Sequence, residues 1–299
     1  MNQIILSNEE AHLRLDKLLA EKFPAHSRTY FQFLIEQGAI LLNGKTIKKR
    51  ETGQVGDTLA ISFLTTPDSA LEPEPIALDI LYEDDDLLCI NKPAGMVVHP
   101  AFGHPNGTLV NALLHHCKGL IASSDKVRPG IVHRLDKETS GVIIAAKTER
   151  AHRELVALFA KRAIKKWYRA ICFGNPGNCT IDAPIGRNPK RRKEMAVIET
   201  GKPALSRCRV LEEKPPFSHV EVELVSGRTH QIRVHLQHVG APIVGDPLYG
   251  NAKVNKKYQV PHQLLHAHRL ELIHPVTSVP LIIEAPLPAL MIKFIDSYI

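Results

Sequence analysis

Five cysteines are spread through 299 residues, at Cys89, Cys117, Cys172, Cys179 and Cys208, and no two form a Cys-x-x-Cys pair. Scattered thiols argue against a disulfide framework and against a thiolate zinc site, so buried free thiols are expected. Although 44% of the residues are hydrophobic, no apolar run is long enough to cross a bilayer. The stretch from Met1 to Glu10 lacks the charged-then-apolar pattern of an export signal, and a soluble protein of the cytoplasm is expected. Gly-x-Gly-x-x-Gly, Gly-Lys-Ser, His-Glu-x-x-His and Gly-x-Ser-x-Gly are missing as well. With them go the sequence signals for dinucleotide binding, P-loop phosphate binding, zinc-dependent hydrolysis and a serine nucleophile elbow. No internal repeat is visible.

What is present in excess is positive charge. The formal net charge is +7, and between Lys161 and Lys193 ten Lys or Arg face a single acid, Asp182, an excess larger than that of the whole chain. A basic run of this kind is ordinarily a solvated face, but it also attracts a polyanion through counterion release. RNA is the partner inferred.

The length leaves room for a sizeable core and more than one domain. Residues 1–64 read as a small unit. Arg14-Leu15-Asp16-Lys17-Leu18-Leu19 begins a helix, and Ser27 is a candidate cap for a second helix running to Gln37, with Gly38 as its stop. Ile40-Leu41-Leu42, Asn43-Gly44 and Lys45-Thr46-Ile47 then form a hairpin, and Gly56-Asp57 leads into a last strand. Residues 65–75, rich in proline and polar groups, read as a linker about which the unit can swing, and residues 76–299 as the main domain. There Thr108 opens a helix through His116, and Thr148 caps a longer one to about Ile164. Strands are expected at Trp167–Phe173, Leu205–Leu211 and His219–Val225, with helices beginning near Thr229 and Pro288. Strands and helices do not alternate regularly, so the class is α+β rather than doubly wound.

The densest chemistry lies in His133-Arg134-Leu135-Asp136-Lys137-Glu138-Thr139-Ser140-Gly141. Pro129-Gly130-Ile131-Val132 before it reads as a loop entering a short strand, and Gly141-Val142-Ile143-Ile144-Ala145-Ala146 after it as a buried strand. Asp136 therefore falls on a loop between core strands, where catalytic groups are often held, although an Asp in this setting also simply closes turns.

The pattern His-Arg-Leu-Asp-x-x-Thr-Ser-Gly resembles the signature of the RluA family of pseudouridine synthases. Three further segments match that family in order: Asn91-Lys92-Pro93-Ala94-Gly95-Met96-Val97-Val98-His99, Lys166-Trp167-Tyr168-Arg169-Ala170, and Ser226-Gly227-Arg228-Thr229-His230-Gln231-Ile232-Arg233-Val234-His235. The resemblance implies a mostly antiparallel bent sheet with a central cleft, and an isomerisation that needs no cofactor and no metal. It makes Asp136 the catalytic carboxylate, attacking the sugar's anomeric carbon or removing a sugar proton. Tyr168 becomes the active-site tyrosine and Arg233 the partner of Asp136. At ~4 Å and an effective dielectric of ~20 such a pair attracts by about 4 kcal/mol before desolvation, which favours the ionised acid. Arg134 corresponds to the residue that fills the space left by the extruded nucleotide, while Arg228 is a candidate phosphate contact. His133 and Leu135 are expected to orient the loop, and Thr139 to brace the turn through a backbone group.

The helix, helix, hairpin order of the first unit resembles the RNA-binding module named after ribosomal protein S-four. Its candidate RNA contacts are Arg14, Arg28, Lys45, Lys48 and Lys49; in the main domain they are Lys165, Lys166 and Arg187. Its second helix departs from the module's pattern, offering Tyr30, Phe31 and Gln32 where basic residues are common. The segment from Val98-His99-Pro100 to His115 looks like the subgroup that acts on large-subunit ribosomal RNA, with transfer RNA as the alternative substrate and a noncatalytic RNA-binding protein as the alternative class. Sixteen histidines invite a metal reading at His230, His235 and His238 or at His266 and His268, but the spacings supply no third ligand or base. Monomer is the default expectation.

Overall fold

Short local signals build the amino-terminal unit. Its elements are β1 (Asn2–Ile5), α1 (Leu15–Lys22), α2 (Arg28–Glu36), β2 (Ile40–Leu42), β3 (Lys45–Thr46) and β4 (Thr58–Ile61). They come from a computed structural model that describes residues 2–24, 26, 28–64, 71–100, 104–117, 129–191 and 194–299. Arg14 is extended ahead of α1, whose Leu15, Leu18 and Leu19 are spaced to share one face and are buried. They pack on Phe31, Leu34 and Ile35 of α2. Asn43 and Gly44 both take positive φ, 50° and 78°, which closes the β2–β3 hairpin with the twist that two-residue turns require. The sheet order is β1-β4-β2-β3, and β1 is a strand that the sequence patterns did not signal. Ser27, the expected cap of α2, lies outside the described residues.

The chain divides into two compact units, 1–70 and 71–299. Residues 65–70 are outside the described set. Residues 71–75, expected in the linker, belong to the larger unit. Leu71 packs against its core, the Glu72 carbonyl accepts from Asn111 Nδ2 at 2.9 Å, and Glu74 accepts from the Gly107 N–H, also at 2.9 Å. Those bonds hold the segment against the start of a helix, which removes it from any flexible tether.

The larger unit runs β5 (Ile80–Glu83), β6 (Leu87–Lys92), α3 (Leu109–His116), β7 (Ser140–Ala146), α4 (Glu149–Ala160), β8 (Lys165–Phe173), β9 (Cys179–Asp182), β10 (Ile185–Arg187), β11 (Met195–Val197), β12 (Leu205–Lys214), β13 (Phe217–Leu224), α5 (Gln231–His238), α6 (Ala252–Tyr258), β14 (Leu265–Ile273), β15 (Pro280–Glu284) and α7 (Ala289–Tyr298). Nine strands form one sheet in the order β5-β6-β7-β14-β8-β13-β12-β9, with β15 pairing β14. Every pairing is antiparallel except that of β7 with β14. The class is α+β, as expected. One face of the sheet carries Ile143, Ala145, Tyr168, Ala170, Val220 and Val222 into the main core, which α3 and α5 cover with Leu109, Leu113, Ile232 and Leu236. Two expected elements are shorter. Ile131 makes only an isolated bridge to Ala145. The Thr148-capped helix stops at Ala160, because Arg162 turns left-handed at φ 56° and Ile164 dives into the core toward β8.

The parallel junction of β7 and β14 depends on glycine. Gly141 has φ 109°, and a Cβ there would lie 2.2 Å from the Ala267 carbonyl oxygen. Only a residue without a side chain lets the two strands approach, and that approach fixes where the loop before Ser140 must sit.

Candidate active site

Asp136 is positioned from below by three polar anchors in the loop ahead of β7. The Thr139 N–H donates to the Asp136 carbonyl at 3.1 Å, and the Gly95 N–H donates to the Lys137 carbonyl at 2.9 Å. Lys92, fully buried, donates from Nζ to the carbonyls of Pro93, Met96 and Lys137 at 2.8, 3.0 and 3.1 Å. One ammonium with three donors thus ties the Asn91-Lys92-Pro93 turn to the loop. Burial pulls the Lys92 pKa down to about 8, against the opposing charges of Glu138 and Asp136. Thr139 does brace the turn, but its hydroxyl accepts from the side-chain amide of Gln263 at 2.6 Å rather than bonding a backbone group. His133 lies under the loop, accepts the Ile144 N–H at 3.0 Å and stacks on Phe159, while Leu135 is buried in the core.

The Asp136 side chain points into a cleft of about 130 Å³ at the middle of the sheet. Its walls include Arg134, Tyr168 from β8, Leu265 from β14, and Arg228, His230 and Arg233 from the turn and helix after β13. Arg233 donates from Nη1 to Asp136 Oδ2 at 2.9 Å. Its other edge makes a two-pronged pair with Asp246, from Nε at 2.6 Å and Nη2 at 2.9 Å. Burial works against the charged guanidinium, but the bonds and charge of Asp246, then Asp136, outweigh it and raise its pKa. The guanidinium also lies over the Tyr249 ring, 4.9 Å from its centroid.

Asp246 is the member of the constellation that sequence reading missed. It is fully buried, and its Oδ1 also accepts the N–H groups of Leu248 and Tyr249 at 2.9 and 3.0 Å. The signal lay in Gly245-Asp246-Pro247: Gly245 has φ 80°, and a Cβ there would meet the His262 carbonyl oxygen at 2.0 Å. Gln231 was missed too. Its Nε2 donates to Leu205 O and Ser206 Oγ, and its Oε1 accepts from Ser226 Oγ and the Arg228 N–H, which pins the turn carrying Arg228 and His230 to β12.

Tyr168 is buried with its pKa raised, first by desolvation and then by the Asp136 charge, so its hydroxyl is held neutral. Arg134 is exposed on the cleft wall. Arg228 is committed in part, donating from Nε to the Pro203 carbonyl at 3.1 Å. Of the other predicted contacts, Lys165 sits 3.7 Å from Glu271 and over Trp167, and Lys166 lies over Phe159. Arg187 is exposed on β10, in the hairpin that β10 makes with β11.

In the amino-terminal unit, Arg14, Arg28 and Lys49 line one surface pocket with Gln32 and Arg50. Beneath it the fully buried Asp16 carboxylate accepts from Arg14 Nη2 at 2.8 Å, Arg28 Nε at 2.9 Å and Gln32 Nε2 at 2.6 Å. Burial pushes the Asp16 pKa up, but these donors outweigh it and the net shift is down. Gln32, which departs from the expected basic pattern, thus serves to hold that acid. Lys45 and Lys48 are exposed outside this pocket, and Lys49 also pairs with Glu36.

Two of the histidines considered for metal binding have protein partners. His235 bonds Ser206 and the Ala183 carbonyl, and His266 bonds Ser140 and the Ala285 carbonyl. Among the described residues, Glu83, His116 and Cys117 bring ligand atoms within 4.8 Å of one another, but Glu83 already accepts from the Lys147 ammonium at 2.8 Å.

An acid and a tyrosine thus line one basic-rimmed cleft in a mostly antiparallel sheet. A family model described as RNA pseudouridylate synthase matches residues 86–238, and one described as S4 domain matches residues 13–59. Ribosomal large subunit pseudouridine synthase D of Pseudomonas aeruginosa is 43% identical over 286 residues, covering 92% of this chain and 88% of that protein. The protein of the same name from Escherichia coli is 39% identical over 303 residues, covering 97% and 92%. Human RNA Pseudouridylate Synthase Domain Containing 1 superposes with a TM-score of 0.58 at 27% identity, over 75% of this chain and 86% of that one. The chain belongs to the RNA pseudouridylate synthase family.

Proposed function

We propose that this protein converts a uridine of large-subunit ribosomal RNA to pseudouridine in the cytoplasm, with Asp136 as the catalytic carboxylate. The bond from ribose C1′ to uracil N1 breaks, C1′ rejoins at C5, the C5 proton leaves and N1 takes one up, so the product is an isomer. The observation that carries this reading is the 2.9 Å contact of Arg233 with Asp136 inside a cleft that Tyr168 also lines. The guanidinium holds the carboxylate that either route uses, attack at C1′ or removal of a sugar proton. With its hydroxyl held neutral, Tyr168 offers a ring for the uracil to stack on and a proton donor beside it. The cleft is small against the roughly 300–1,000 Å³ of pockets for drug-sized ligands, which suits a single extruded base rather than a larger ligand.

Extrusion from a helix costs about a few kcal/mol. Arg134, exposed beside Asp136, takes the vacated place, its planar guanidinium stacking on bases while bonding phosphate. Arg228 and Arg187, with Lys165 and Lys166, guide the backbone, and Arg14, Arg28, Lys45, Lys48 and Lys49 hold a second stretch of RNA. The ribosomal assignment draws on the relatives named ribosomal large subunit pseudouridine synthase D. Its test is carbodiimide mapping of pseudouridine in total RNA from cells with the wild type, with Asp136→Asn, and without the gene. The expected result is a signal in large-subunit RNA that only the wild type restores. Loss confined to transfer RNA would overturn the substrate, and full restoration by Asp136→Asn would overturn the residue.

A further inference from the structure

Two donors converge on one oxygen of Asp136. Arg233 Nη1 donates to Oδ2 at 2.9 Å, and His230 Nε2 lies 4.0 Å from that same Oδ2. Among the described residues no side chain or backbone group donates to Oδ1. The other ring nitrogen of His230 is fixed from behind. Its Nδ1 is 2.8 Å from the Tyr249 hydroxyl, which in turn accepts the Met195 N–H at 2.8 Å. Tyr249 is 2% exposed, so its own hydroxyl proton needs an acceptor, and among the described residues His230 Nδ1 is the one in reach. Nδ1 is thereby the acceptor and Nε2 carries the hydrogen, aimed at Asp136.

The backbone supports the same reading. His230 caps α5 with φ 58° and ψ 19°, a left-handed conformation that glycine or asparagine adopts at lower cost. The ring is 18% exposed on the cleft wall. Burial, together with Arg233 and Arg134, lowers the His230 pKa and outweighs the opposing Asp136 and Asp246, which keeps the ring neutral.

Resting on the isomerase reading above, we propose that His230 is a positioning residue: its Nε2–H and Arg233 together tie Asp136 Oδ2, and Oδ1 is left as the oxygen that meets the ribose. At 4.0 Å the Nε2 contact is longer than a hydrogen bond, and it closes when the nucleotide enters, as catalytic contacts commonly do. The chain of bonds from Met195 through Tyr249 to His230 makes β11 part of the support for the carboxylate.

The test combines nitrogen-15 NMR of the full chain with single-turnover kinetics on a large-subunit RNA transcript. His230→Asn assigns the histidine signals and suits the left-handed backbone while falling short of Asp136, and His230→Gln keeps an N–H of longer reach. Protonated Nε2 and unprotonated Nδ1 are expected near neutral pH, with Tyr249→Phe releasing the alternative tautomer. His230→Asn should slow the single-turnover rate about tenfold or more with RNA Kd and Tm close to wild type, and His230→Gln should recover part of it. A hydrogen on Nδ1, an imidazolium, a His230→Asn rate within about twofold of wild type, or equal losses in Asn and Gln variants would each overturn the proposal. If the wild type itself isomerises no uridine, the functional reading fails, while the tautomer signal still decides the geometry of His230.

Discussion

The cleft and the amino-terminal pocket are built from the same groups in opposite order. In the cleft one arginine, 5% exposed, is clamped between two carboxylates, Asp246 at 0% and Asp136 at 21%. In the amino-terminal unit one carboxylate, Asp16 at 0%, is clamped between two arginines, Arg14 at 36% and Arg28 at 45%. Each cluster buries the shared charge and leaves the surplus charge at the surface. The surplus is one negative charge in the first and one positive charge, spread over two guanidiniums, in the second. Under the proposed function a reacting sugar would meet the former and a phosphate backbone the latter, so burial order rather than residue type would separate chemistry from grip.

The comparison breaks most visibly at the surplus carboxylate. Asp136→Asn keeps the shape and removes the anion, and is expected to cost ~10³-fold or more in single-turnover rate, measured on ribosomal RNA transcripts. Because Asp136 is partly exposed, its urea midpoint should stay close to wild type. Removing the shared charge acts on stability instead. Arg233→Met leaves Asp246 buried without a counter-charge and is expected to cost about 3–5 kcal/mol, read from urea unfolding. Arg233→Lys should lose less, since it keeps the charge but not the two-pronged geometry.

Acid distinguishes the strand junction under the cleft. His266 is fully buried, and its pKa is lowered to about 4, first by burial and further by His268, against the Ala285 carbonyl. An unfolded histidine titrates near 6.5. Between these values the unfolded chain binds a proton that the folded chain refuses. The contribution of His266 is therefore complete above about pH 6.5 and falls by ~1.4 kcal/mol per unit as pH drops toward 4. Unfolding free energies of His266→Leu should show a correspondingly flatter acid limb.

Smaller effects are expected in the amino-terminal unit, where water reaches the arginines. Asp16→Asn should cost about 1.5–3 kcal/mol, less than Arg233→Met, because the partners it abandons are not sealed from solvent. Arg14→Ala and Arg28→Ala should weaken RNA binding only several-fold, each lowering the slope of log affinity against log salt by about 0.7–0.9, read from titrations at several salt concentrations. A slope unchanged in both variants would mean that this pocket holds no phosphate.

Several elements of both units follow from local rules that a sequence displays. Continuous apolar residues mark β7, Thr148 marks the start of α4, and Asn43-Gly44 marks the first hairpin. Asp136, Tyr168 and Arg233 stand in recognisable motifs, and the fold brings all three to one cleft. Less legible were β14 as the strand between β7 and β8, and β15 beside it, because pairing partners are chosen by packing across long sequence separations. Lys165 and Lys166 appear in sequence only as a basic run; their neighbours Glu271, Trp167 and Phe159 are set by the sheet.

By itself, the sequence determined which acid, tyrosine and arginine stand in the motifs that meet at the cleft and which turns and caps begin the elements around them, since these depend on side-chain type and on neighbours a few residues away. Only the tertiary structure decided that Arg233 is shared with Asp246, that Lys92 ties two loops through three carbonyls, and that His230 presents Nε2 to Asp136. Those facts are distances between distant parts of the chain. A charge acquires its role there from what else is buried beside it, and burial exists only once the sheet has closed.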